Sequence, residues 1–163
     1  MSKTVAGGFR GFEFWVHDVC QALLWAEMIG VVEDLPPKER PDWTTELLPR
    51  LREHAALGDL YVPLEEWAGG HEEEFVELVA RARRRLAERG TVTPQEAARW
   101  IVLDDLPVIW RGDEPIETAP VVEFADAVVE IVRGVHPPAP PGRQWYFDIR
   151  RTPDGPATVE IAE

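Results

Sequence analysis

Apolar residues recur at helical spacing through most of this chain. The pattern is clearest from Glu117 to Gly134. Val121, Val122, Phe124, Ala125, Val128, Val129, Ile131 and Val132 fall on one half of a 3.6-residue wheel, and Glu123, Asp126, Glu130 and Arg133 on the other. Such a stripe predicts a helix packed on a core along one side. Thr118 can cap its start, Pro120 sits in the first turn where a missing N–H costs little, and Gly134 marks its end. His71–Arg89 has the same form, with Phe75, Leu78, Val79, Ala82 and Leu86 as its stripe. Its glutamates come first and its arginines last, the order a helix dipole favours, and Glu77 and Arg81 can pair across one turn.

Asp18 can cap a helix running through Val19, Cys20, Leu23, Leu24, Met28 and Ile29. That segment is apolar nearly all round, which predicts a buried central helix. Asp42 starts another, through Leu47, Leu48, Leu51 and Ala55 to Gly58, which Pro49 should kink or divide. Pro63 opens a helical turn over Leu64–Ala68. Thr93, Pro94 and Glu96 form a capping box, and the helix they start carries Ala97, Trp100, Ile101 and Leu103 before Pro107.

Period-two alternation appears in two places. Phe12, Phe14 and Val16 suit a strand, although Phe9–His17 could also open the next helix. Trp145, Phe147 and Ile149, the turn Thr152-Pro153-Asp154-Gly155, and Val159 and Ile161 read as a hairpin, preceded by a proline-rich linker over 135–142. A lone hairpin is marginal in water, so it must pack on the helices. These elements predict an α+β fold: one predominantly helical domain of about five helices, spanning residues 9–163, with a C-terminal antiparallel hairpin that residues 9–16 can join as a third strand. Residues 1–8 are expected to be a flexible N-terminus, with Gly7 and Gly8 as the hinge.

Length and composition agree with one globular domain of 163 residues, 45% hydrophobic and 29% charged. No apolar run is long enough to span a membrane, and no leader precedes a cleavage site. The single cysteine, Cys20, excludes an internal disulfide framework and points to a reducing cytoplasm. A net charge of −13 argues against nucleic-acid phosphates as a partner.

Candidate chemistry is sparse. His17-Asp18 has the form of a phosphohydrolase metal-binding dipeptide, but no further ligand motif follows, and a capping Asp beside a partly buried His is the better explanation. Cys20 lies among Val19, Ala22 and Leu23 as a small core residue would. His71 lacks the second histidine of HExxH, Arg111-Gly112-Asp113 is a turn, and no phosphate-binding glycine motif is present. No catalytic residue, metal ligand or cofactor is assigned.

What stands out is the distribution of charge. Residues 101–137 hold eight acids against Arg111 and Arg133, a local charge of −6. The chain also has seven tryptophans, two of them near acidic stretches. The acids can be a solvated surface that keeps the protein soluble, and the tryptophans core; where they meet a basic partner, the expected partner-facing residues are Asp104, Asp105, Trp110, Asp113, Glu114, Glu123, Asp126 and Glu130, with Trp67 as a further aromatic anchor. Carboxylates with aromatic anchors suit a binding protein of inhibitor or immunity type that neutralises a basic partner such as a toxin. The alternatives are a small enzyme with a non-obvious site and an accessory subunit of a larger complex.

Overall fold

The computed structural model describes residues 3–135 and the backbone of two later strands. The fold is α+β. In chain order it runs β1 (Thr4–Phe9), β2 (Phe12–His17), α1 (Asp18–Glu33), α2 (Thr44–Leu57), β3 (Val62–Pro63), α3 (Leu64–Ala68), α4 (Glu72–Arg89), β4 (Thr91–Val92), α5 (Pro94–Arg99), β5 (Ile101–Leu103), β6 (Leu106–Pro107), β7 (Ile116–Glu117), α6 (Ala119–Val132), β8 (Gln144–Phe147) and β9 (Val159–Ala162). Strands β3, β1, β2, β8 and β9 form one sheet in that order. Two further pairs, β4 with β7 and β5 with β6, stand apart from it. The linker at 136–142 and the turn at 152–155 lie outside the described residues.

α1 is the axis of the molecule. It packs against α2, α4 and α6, and every residue from Asp18 to Ile29 is buried. A helix surrounded in this way has no solvent face, which is why its sequence is apolar on all sides. Its polar residues are all partnered. Gln21 donates to the carbonyls of Asp18 and His54 and accepts from the Trp25 indole. Glu27, 3% exposed, holds Arg89 at 2.8 Å and Arg85 at 3.9 Å. Around Trp25 the core is aromatic: Phe124 and Trp67 meet it edge-on at 5.8 and 5.1 Å.

Several expectations hold. The stripe of α4 is buried, as is that of α6 apart from the half-buried Val122 and Val129; the Thr93–Glu96 capping box forms, and Glu77 pairs with Arg81 at 2.9 Å. β8 and β9 pair antiparallel, and β2 joins them as the third strand, parallel to β8 with Trp15 opposite Tyr146.

Other expectations are corrected. Thr4–Phe9 is a strand, not a flexible end, and pairs antiparallel with β2 from Thr4–His17 to Phe9–Phe12. Its glycines serve close approach: a Cβ on Gly7 would stand 2.3 Å from the Phe14 ring, and one on Gly8 2.1 Å from the Tyr61 hydroxyl. His17, not Asp18, is the N-cap of α1; its Nδ1 accepts from the Val19 N–H. Thr118 does not cap α6 through its side chain, because its hydroxyl donates to the Leu86 carbonyl at 2.6 Å. α2 is undivided. Pro49 lies on its exposed side, where a freed carbonyl can meet water. α5 stops at Arg99, and Ile101–Leu103 is strand.

Cys20 is fully buried, with its Sγ 3.7 Å from the Pro120 carbonyl. It should react with a thiol reagent only as fast as the native state opens. Labelling of the folded protein at the rate of a free thiol would contradict this placement.

Candidate protein-binding surface

The segment from Ile101 to Glu114 forms a finger on the flank of α2. Ile101 pairs with Pro107 and Leu103 with Leu106, with an irregularity between the two. Asp104 turns the chain at φ 50°, a left-handed conformation that Asp tolerates better than most residues. Val102 and Val108 point inward, 2% exposed each, and anchor the finger on the core. Backbone and side-chain bonds fasten it. The Ile109 N–H donates to the Ala55 carbonyl at 2.9 Å, and Arg52 Nη1 donates to the Val102 carbonyl at 2.9 Å. Gly58 ends α2 at φ 69°, and a Cβ there would stand 2.7 Å from Ile109 Cδ1, so the finger lies close over the helix end.

The finger's root is an ion pair. Arg111 Nε donates to Asp18 Oδ2 at 2.6 Å. Asp18 has no exposed surface, and its other oxygen accepts the Val19 N–H at 2.8 Å. The dipeptide His17-Asp18 is thus a helix start holding a distant arginine. Among the described residues no three His, Cys, Asp or Glu side chains gather as a metal site would require.

The finger's outer side is apolar at its edges and acidic at its tip and base. Ile101 is 49% and Leu106 44% exposed, and Leu57, at the end of the helix beneath, is 45% exposed. Asp104, Asp105, Asp113 and Glu114 are all exposed, and none of them is in an ion pair with a described residue. Trp110 is half-buried, and its indole nitrogen is covered, with no hydrogen-bond partner among the described residues. Five of the nine expected partner-facing residues therefore lie on this one finger. No protein-family model, curated protein or solved structure matches the chain.

The remaining four lie elsewhere. Glu123, Asp126 and Glu130 are exposed along α6, which packs on α4 rather than α2. Asp126 is engaged there by Arg83, at 2.9 and 3.3 Å. Trp67 is 6% exposed, wedged edge-on between Trp25 and His54, and is a core residue rather than a surface anchor. The exposed Leu57, Ile101 and Leu106 were not expected as site residues; a strand with alternating in and out positions at 101–107 would have revealed the last two.

Glu123 titrates above the usual carboxylate range, because partial burial and then the nearby Asp126 charge disfavour its ionised form. A raised carboxyl favours folding at low pH, and the advantage is lost as pH rises through the folded-state value. Glu123→Gln should therefore leave the melting temperature unchanged near pH 3 and raise it slightly at pH 7. A lower melting temperature at pH 7 would contradict this.

Proposed function

We propose that the protein is a small binding protein of inhibitor or immunity type, which docks a basic protein such as a toxin on the finger 101–114 in the cytoplasm. One observation carries this reading: four exposed carboxylates, none ion-paired with a described residue, stand beside exposed Ile101 and Leu106 on a firmly anchored finger. Exposed apolar side chains supply area to bury, and exposed acids steer a cationic partner and set its register. The half-buried Trp110 adds part of its ring to the area a partner can cover. The net charge of −13 gives long-range attraction of the same sign. Cys20, the single cysteine of the sequence and fully buried, suits a reducing compartment.

The test is affinity capture from an extract of the native host. The wild-type chain should retain a protein of high pI at low salt and release it as ionic strength rises. The variant Asp104→Lys with Asp105→Lys should not retain it. Retention of the same protein by both baits would remove the finger from the binding surface.

A further inference from the structure

Two clefts meet on the side of the molecule where α3 lies. The larger, about 790 Å³, runs between α2 and the α3–α4 junction and includes Trp43, Glu46, Arg50, Glu53, Trp67 and His71 in its walls. The smaller, about 560 Å³, runs between the β1–β2 turn and the approach to α3, past Phe12, Glu13, Tyr61, Pro63 and Glu65. Glu66 lines both. We propose that together they form a second binding site, which takes an extended protein segment bearing lysine or arginine side chains.

The walls are aromatic and held in place. Trp43 stacks on His71 with ring centres 5.0 Å apart and planes 9° from parallel, and its indole N–H donates to Glu74. Trp67 is fixed from below by Trp25 and His54. Tyr61, 51% exposed, offers a further ring in the smaller cleft. Trp67 is buried and only backs the larger cleft, so Trp43 and Tyr61 are the rings that can meet a guanidinium or ammonium group.

Charge selects the same ligand. Glu46, Glu53 and Glu66 face the larger cleft with Arg50 as the one guanidinium among its lining residues. In the smaller cleft Glu13, Glu65 and Glu66 stand against Arg10. Arg10 is itself informative. Its guanidinium lies 4.9 Å from the centre of the Phe9 ring and 2.9 Å from Glu72, so this rim already holds one guanidinium between an aromatic ring and a carboxylate. The Tyr61 hydroxyl is harder to ionise than usual, through burial and then through Glu13 and Glu65, as a negative local field requires. Two clefts that share Glu66 can each take one cationic side chain of the same extended segment.

This site is separate from the finger. α2 turns Glu46, Pro49, Arg50 and Glu53 toward the cleft, whereas Arg52 and Ala55 hold the finger from another face of the same helix. The two can therefore be tested independently. The probe is a fluorescein-labelled peptide of alternating arginine and glycine, titrated against the full chain, with a glutamate–glycine peptide as control. The arginine peptide should bind, more weakly at higher salt, and the glutamate peptide should not. Glu53→Gln with Glu66→Gln should weaken binding about ten-fold, while Asp104→Asn with Asp105→Asn, which removes the same charge, should change it less than about two-fold. Equal weakening by both pairs would show diffuse attraction to an acidic protein and overturn the proposal, as would absence of binding to the wild type. Loss in the cleft variant alone upholds it whatever becomes of the finger.

Discussion

Replacing Arg111 by alanine is expected to destabilise the fold by about 3 kcal/mol. Asp18 opens the central helix and has no exposed surface. Its charge is balanced by Arg111, at 2.6 Å, and by the Val19 N–H. Removing the arginine leaves a buried carboxylate without its counter-charge, which costs more than the pair itself contributes. The Arg111 side chain is 36% exposed, so water can partly replace it, and the effect belongs at the lower end of the usual range of about 3–5 kcal/mol. Asp18→Asn in the Arg111→Ala background should restore part of the loss, because a neutral amide needs no cation. Urea melts of the four proteins give the coupling directly. Hydrogen exchange over 101–110 should also quicken in Arg111→Ala, since that residue roots the finger. A loss below about 1 kcal/mol would mean that the pair does not hold this end of α1.

That ion pair joins residues 93 positions apart, and nothing in the local pattern announces it. The sequence was readable where one helix face decided the outcome. The stripes of α4 and α6 and the capping box at Thr93 all lie within a few turns of chain, and each formed. It misled where tertiary contacts overrode local preference. Gly7 and Gly8 look like a hinge, since glycine weakens a strand, yet a larger residue at position 7 would collide with the buried Phe14 ring. Ile101 and Leu103 continue the apolar spacing of α5, yet they pair with Pro107 and Leu106. The acidity of 101–137 was plain from composition. Its division between two elements was not, because that depends on the finger seating on α2 and on α6 seating on α4.

The division makes the second large effect specific. Asp104→Lys with Asp105→Lys reverses two exposed charges at the finger's tip, and Glu123→Lys with Glu130→Lys reverses two on α6. Both pairs change the net charge by the same amount, so general attraction alone would slow association equally. Exposed carboxylates contribute little to folding, and both variants should melt close to the wild type. If the finger is the docking surface, the tip variant loses both steering and specific pairing with the partner's cations. Its association should slow about ten-fold or more at low salt, with the gap narrowing as salt screens the charges.

The most direct measurement is the association rate of the captured basic partner with these two variants and the wild type, at two ionic strengths, with thermal melts as control. A finger that docks the partner predicts that the tip variant is slow and depends less on salt, while the α6 variant stays within about two-fold of the wild type. Equal slowing of the two variants, or greater slowing of the α6 variant, would contradict it.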